Sequence, residues 1–137
     1  MEGRERSVTD AEHPYSLVYE KDGVAYVSGA TTIDYATHLP VEGDEAALDT
    51  ALNEVERRLG TIGLDLAAVT KVTYFLSDMR LRSIANAQFE KRFVQPRPAR
   101  TVVGVSSIPY GGIAVIDAIA QRSRARVRRQ APGDADC

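Results

Sequence analysis

Val69-Thr70-Lys71-Val72-Thr73-Tyr74-Phe75-Leu76 is a run of β-branched and aromatic residues without glycine or proline. That composition predicts a central strand. Ser77-Asp78 follow it, two residue types that cap helices. Leu81, Ile84, Ala85, Phe89 and Phe93 then recur at three- and four-residue spacing, which predicts a helix over about 80–93. Upstream, Leu48, Ala51, Leu52, Val55, Leu59 and Ile62 share one helical face and predict a helix over 44–62. Asp44 is its expected N-cap and Gly63 its stop. Glu54 and Arg58, spaced i and i+4, fall on its expected exposed side.

Further out, the stretches 16–20 and 24–28 read as two strands of a hairpin turned by Lys21-Asp22-Gly23. Gly29 is expected to end that hairpin, and 30–43 reads as a loop. After a proline-bearing loop over 94–98, strands are expected over 100–106 and 113–121. In Pro98-Ala99-Arg100-Thr101-Val102-Val103-Gly104-Val105, the proline sets where the strand begins. Arg100 then stands at the mouth of an otherwise apolar core strand. A guanidinium there suits a carboxylate, which it can bind by two parallel hydrogen bonds. The competing reading is a surface arginine at a strand edge.

The resulting order is β-β-α-β-α-β-β. It implies an α+β fold with two helices on one face of a mainly antiparallel sheet. Val18, Val27, Val72, Val103 and Ile116 suggest apolar positions of mixed parity, so the second sheet face also needs cover, and oligomerisation is expected.

Length and composition bound the rest. The 137 residues suit one domain, with 44% apolar and 26% charged residues. No apolar run approaches a membrane span. Residues 1–13 alternate Glu and Arg without an apolar core, unlike a signal peptide. Cys137 is the single cysteine, which excludes an intramolecular disulfide and makes a cytoplasmic location the default. His13 and His38 lack ligand spacing, so no metal site is expected. Arg122, Arg124, Arg126, Arg128 and Arg129 carry no acid among them. Removing those five from 17 basic residues leaves 12 against 19 acids, a net charge of −7 for the remainder. An acidic body and no interleaved aromatics favour a solvated tail over a nucleic-acid arm. The expected division is a tail over 1–12, a domain over 13–122 and a basic, flexible tail over 123–137.

Several motifs in this order resemble the RidA/YjgF family, also called L-PSP or reactive-intermediate deaminases. They are His13-Pro14-Tyr15-Ser16, Val27-Ser28-Gly29, the strand 69–76 with Ser77-Asp78-Met79, Asn86 with Phe89 and Phe93, Pro98-Ala99-Arg100, Ile108-Pro109, and Ile116-Asp117-Ala118-Ile119-Ala120. The resemblance spans about 13–122. It implies a chorismate-mutase-like fold and a homotrimer with ligand clefts between neighbours. It also implies cofactor-free hydrolysis of enamines and imines such as 2-aminoacrylate to 2-keto acids and ammonia.

Residue by residue, Arg100 matches the family's carboxylate-binding arginine, with a role in positioning and charge stabilisation. Ser28 matches the cleft serine, Tyr15 an aromatic hydroxyl able to donate a proton or hold water, and Gly29 a point of close backbone approach. Asn86 matches a recurrent helical asparagine whose role is either structural or in the cleft. Ser28 and Tyr15 each have a rival reading, as a strand end and as edge packing.

The chain also departs from the pattern. Deaminating members carry a glutamate, thought to orient water, at the position of Val115, and valine does no acid–base chemistry. Asp117, on the same strand face, is either a shortened substitute that touches substrate or a structural partner of a neighbouring strand. His13 offers an alternative base near neutral pH, or belongs to the tail. His13, Leu17 and Ala30 replace residues usual in the family. The leading expectation is an imine or enamine deaminase of altered scope, acting on a 2-imino or 2-keto acid. The alternatives are a trimeric carboxylate-binding protein without turnover, and an RNA-directed ribonuclease or translation inhibitor supported only by the arginine run.

Overall fold

The computed structural model describes residues 13–123. The chain forms β1 (Val18–Lys21), β2 (Val24–Thr31), β3 (Ile33–Asp34), β4 (Leu39–Pro40), α1 (Asp44–Gly60), β5 (Val69–Leu76), α2 (Arg82–Arg92), β6 (Ala99–Gly104) and β7 (Ala114–Gln121). Short 3₁₀ turns occupy Leu66–Ala68, Met79–Leu81 and Pro109–Gly111. The main sheet has the order β1-β2-β7-β5-β6, and β3 with β4 makes a separate two-stranded ribbon. Three of the four pairings in the main sheet are antiparallel. The exception is β5 with β6, which run parallel because α2 connects them.

β5 spans the residues expected of it, and its alternation sorts the sheet into two faces. Val69, Val72, Tyr74 and Leu76 are buried toward the helices. They meet Ala114, Ile116, Ala118 and Ala120 of β7 and the α1 stripe Leu48, Ala51, Leu52, Val55 and Leu59. The small alanines of β7 let α1 lie close on the strand, which burial then stabilises by roughly 25 cal/mol per Å² of apolar surface.

α1 begins after Gly43, whose φ of +90° glycine alone adopts cheaply, so Asp44 is the first helical residue rather than the cap. At the other end Gly63 takes φ +78° and Leu64 N–H closes onto Leu59 O at 2.9 Å. The hairpin turn is as expected, with Asp22 and Gly23 both at positive φ. Asp78 caps the 3₁₀ turn ahead of α2 through Arg80 N–H.

Five expectations change. The segment 30–43 is not a plain loop: β2 continues to Thr31 and the β3–β4 ribbon follows. Gly29 does not end β2 but lies in a bulge within it. Glu54 and Arg58 are not exposed; they are 8% and 3% accessible and face β2. β6 is an edge strand rather than a core strand. Arg122 is not part of a free tail: it donates to Glu20 at 2.7 and 2.8 Å and to Ile62 O at 2.7 Å. The remaining arginines of that run, Cys137 and the tail 1–12 lie outside the described residues.

The sheet does carry apolar residues on both faces, but not the ones expected. Val18, Val27, Val72 and Ile116 all belong to the helix side. The opposite face carries Tyr19, Tyr26 and Ile119 in one row, and Phe75, Val103 and Val115 in another. Between these rows runs a polar one, Asp117-Thr73-Thr101. Tyr19 and Tyr26 are half exposed, at 54% and 49%.

Candidate functional site

Arg100 pairs across the parallel ladder with Val72, whose side chain is buried on the helix side, so Arg100 projects to that side too. There α2 meets it. Arg100 Nη2 donates to Asn86 Oδ1 at 2.6 Å. The guanidinium lies over the Phe89 ring at 4.9 Å and the Tyr74 ring at 5.6 Å. Its Nη1 is buried and has no hydrogen-bond acceptor. Among the described residues no carboxylate forms an ion pair with it. Arg100 is thus a cation braced by a neutral amide and two rings, with one donor edge unspent.

Behind it, the Tyr74 hydroxyl donates to Gln88 Oε1 at 2.8 Å, and Gln88 Nε2 donates to Asp49 Oδ1 at 2.9 Å. Burial pushes the Tyr74 phenol well above its ordinary pKa, so it stays protonated and keeps donating. The solvent-facing side of Arg100 is a recess of about 250 Å³, lined by Asn86, Phe89, Glu90, Arg97 and Arg100.

The second group of expected residues lies elsewhere. The β2–β7 register pairs Val27 with Ala118 and Ala30 with Ile116, so Ser28 and Gly29 together oppose the single residue Asp117. Such a bulge frees backbone groups. Arg58 Nη1 takes up the Ser28 carbonyl at 2.8 Å and reaches the Gly29 carbonyl at 3.4 Å. Arg58 is held in turn by Glu54 at 2.8 Å, which also accepts from Arg57 at 3.0 and 2.8 Å. Burial raises the Glu54 carboxyl's pKa, but the bonds from Arg57 and Arg58 together outweigh it and hold the group below its ordinary value.

Tyr35 stacks under the Arg58 guanidinium at 5.5 Å, and its hydroxyl accepts from Thr31 N–H at 2.8 Å. Ser28 Oγ donates to Ser16 O at 2.7 Å. Tyr15 is half exposed beside His13, ring to ring at 5.3 Å.

Val115 and Asp117 project to the opposite sheet face from Arg100, since Asp117 pairs with Thr73, the residue after Val72. Burial pushes the Asp117 carboxyl's pKa up, opposed by a hydrogen bond from Thr73 and the charge of Lys71. Val115 fills the space above Gly29: a Cβ on Gly29 would sit 2.6 Å from Val115 Cγ1.

One chain therefore brings Arg100 together with Asn86, and Ser28 together with Gly29 and Asp117, but it does not join the two groups. From β2 to β6 is three strand spacings, about 14 Å. Arg58, Tyr35, Phe89 and Arg97 escape a reading of the sequence. Their places depend on the bulge and on α2 packing, which no local pattern announces. Arg97, between Pro96 and Pro98, carries the one usable hint.

The comparisons with known proteins bear on this arrangement. The family model described as Endoribonuclease L-PSP matches residues 5–122. The chain belongs to the RidA/YjgF (L-PSP) family. Among its relatives, Protein DfrA of Myxococcus xanthus is 34% identical over 78% of this chain and 84% of that protein. The 2-iminobutanoate/2-iminopropanoate deaminase of Bos taurus is 33% identical over 78% of this chain and 79% of that protein. Among solved structures, RidA from an Antarctic Psychrobacter species superposes with a TM-score of 0.76 at 26% identity, covering 84% of this chain and 94% of that one. The α+β fold with two helices on a mainly antiparallel sheet is that of the family. No helix among the described residues is long and apolar enough to cross a membrane.

Proposed function

We propose that this RidA-family protein hydrolyses imines or enamines of 2-amino acids to 2-keto acids and ammonia, in a cleft completed by a second copy of the chain. The observation that carries the reading is the unneutralised Arg100, braced by Asn86 and Phe89 with a buried donor unspent. A carboxylate is the natural partner of that edge. Anchoring it would hold the adjacent C=N carbon in a fixed place for attack. An enamine first takes a proton on its β-carbon and releases one from nitrogen to become the imine. Water then adds to the C=N carbon with one of its protons passing to nitrogen, and the hydroxyl proton of the adduct moves to the amine as ammonia leaves and the carbonyl forms. The bovine relative, a 2-iminobutanoate/2-iminopropanoate deaminase, supports this reaction class.

Of the other family-matched groups, Ser28 and Gly29 lie about 14 Å from Arg100 across the sheet, and Tyr15 adjoins Ser16, whose carbonyl accepts from Ser28 Oγ at 2.7 Å. A homotrimer that sets the β6 edge of one copy against the β2 bulge of the next would close the cleft. The two apolar rows on the open face would supply its contact surface. In that cleft Tyr15 would supply or hold the proton, and Ser28 with Gly29 would line the wall beside the substrate. Asp117, opposite the bulge, is tied to Thr73, so its role is to fix the strands beside the wall. A cytoplasmic location and independence from cofactors belong to the same reading.

The test is keto-acid release from enzymatically generated 2-aminoacrylate or 2-iminobutanoate. Wild type is expected to exceed buffer. Arg100→Ala is expected to lower kcat/KM by about 10- to 150-fold, the value of a hydrogen bond to a charged group. Release no faster than buffer by wild type would overturn the activity.

Val115 favours a second reading. It fills the place above Gly29 with methyl groups where deaminating relatives are expected to hold a carboxylate. In that case the protein binds 2-keto acids in an Arg100-dependent way without turnover, and Val115→Glu creates activity. High activity unchanged by Val115→Glu would rule this second reading out.

A further inference from the structure

The recess at Arg100 holds a second guanidinium. Arg97 lines the same 250 Å³ space, together with Asn86, Phe89 and Glu90. Its bonds go to backbone carbonyls: Nε donates to Phe93 O at 3.0 Å and Nη2 to Glu90 O at 3.2 Å. Those carbonyls close α2, and they hold the side chain without neutralising it. Among the described residues neither Arg97 nor Arg100 is in an ion pair. Glu90 is exposed at the rim, where water screens it. The backbone beneath Arg97 is restrained as well. Pro96 and Pro98 flank it, and a residue before proline is confined to extended conformations. Two half-buried cations, one aromatic floor and one rim carboxylate leave the recess with net positive charge.

We propose that this recess takes a ligand with two acidic groups, a 2-keto or 2-imino dicarboxylic acid, one carboxylate on Arg100 and the other on Arg97. The proposal rests on the reading of Arg100 as a carboxylate anchor and names the substrate class of that site. A monocarboxylate satisfies Arg100 and leaves Arg97 uncompensated inside the recess. A dicarboxylate of the 2-oxoglutarate class brings a negative charge to each of the two guanidinia.

A bland role for Arg97 exists, as the residue that closes the last turn of α2, and the experiment separates the two. Calorimetric titration of the full chain with 2-oxobutanoate and 2-oxoglutarate gives the affinity ratio of diacid to monoacid. Wild type is expected to favour 2-oxoglutarate by about tenfold, from one added charge-assisted hydrogen bond. Arg97→Gln keeps a donor for the helix carbonyls and loses the charge, and is expected to bring the ratio near one by weakening 2-oxoglutarate binding far more than 2-oxobutanoate binding. Glu90→Gln, a change at an exposed position, is expected to raise the ratio about two- to threefold by removing rim repulsion. A wild-type ratio near one, or a ratio that Arg97→Gln leaves intact while it lowers the melting temperature, overturns the proposal and leaves Arg97 as a helix cap. Binding of 2-oxobutanoate that survives Arg100→Ala overturns the anchor reading itself, and the diacid proposal with it.

Discussion

Arg58→Met tests the support beneath the β2 bulge. The guanidinium is 3% accessible and makes a 2.8 Å bond to Glu54, a 2.8 Å bond to the Ser28 carbonyl and a 3.4 Å contact with the Gly29 carbonyl. Methionine fills much of the volume but donates nothing. Breaking a buried pair from one side costs about 3–5 kcal/mol. The low end applies, because Arg57 still holds the Glu54 carboxylate from the solvent side. The two carbonyls add little, since Ser28 and Gly29 are within reach of water. A loss of about 3 kcal/mol, at about 2.1 cal/mol/K per residue over roughly 110 ordered residues, lowers the melting temperature by about 13 °C. Glu54→Met together with Arg58→Met removes both charges and is expected to recover part of the loss. Urea and thermal denaturation of the three proteins measure this directly. An Arg58→Met protein within about 0.5 kcal/mol of wild type would refute the claim that this side chain sustains the bulge.

Two further outcomes follow from the same sheet. Asp117 has its pKa raised by burial in the folded state, so its contribution to stability is complete below the ordinary carboxylate value of about 3.9 and is lost as pH rises through the folded value. Asp117→Asn should therefore be more stable than wild type at pH 7 and converge with it below about pH 3, which denaturation at a series of pH values will show. Gly29→Ala drives a methyl against Val115 Cγ1 and should cost about 1–3 kcal/mol. Val115→Ala opens that space, so the double variant should be less destabilised than the sum of the single changes, a non-additivity that a double-mutant cycle reads.

How far the sequence discloses this molecule depends on the range of the forces involved. β5 is legible to its last residue because eight residues run without glycine or proline, rich in β-branched and aromatic types and alternating regularly from Val72 onward, and both its neighbours are strands. The α1 stripe is legible for the same reason at helical period. The β3–β4 ribbon is not, since two-residue strands carry no period. Glu54 and Arg58 show the limit most clearly. An i,i+4 acid–base pair looks alike whether it faces water or core, and what draws it inward is a pair of carbonyls released 29 and 30 residues away. Arg100 stands out from its surroundings in the sequence, whereas Phe89 and Asn86 become its supports only once α2 packs over β5 and β6. Arg97 is marked in the sequence only by its flanking prolines, and its place in the recess follows from the packing of α2.

The strand order has a genetic corollary. Arg100 belongs to one edge of the sheet and the Ser28–Gly29 bulge lies three strands away. In an assembly that sets the β6 edge of one copy against the bulge of the next, a lesion in either wall spoils a different half of each shared site. Chains carrying Arg100→Ala and chains carrying Ser28→Ala, co-expressed, would then form some interfaces with both walls intact. Two inactive alleles would complement each other within one oligomer, with activity that neither produces alone.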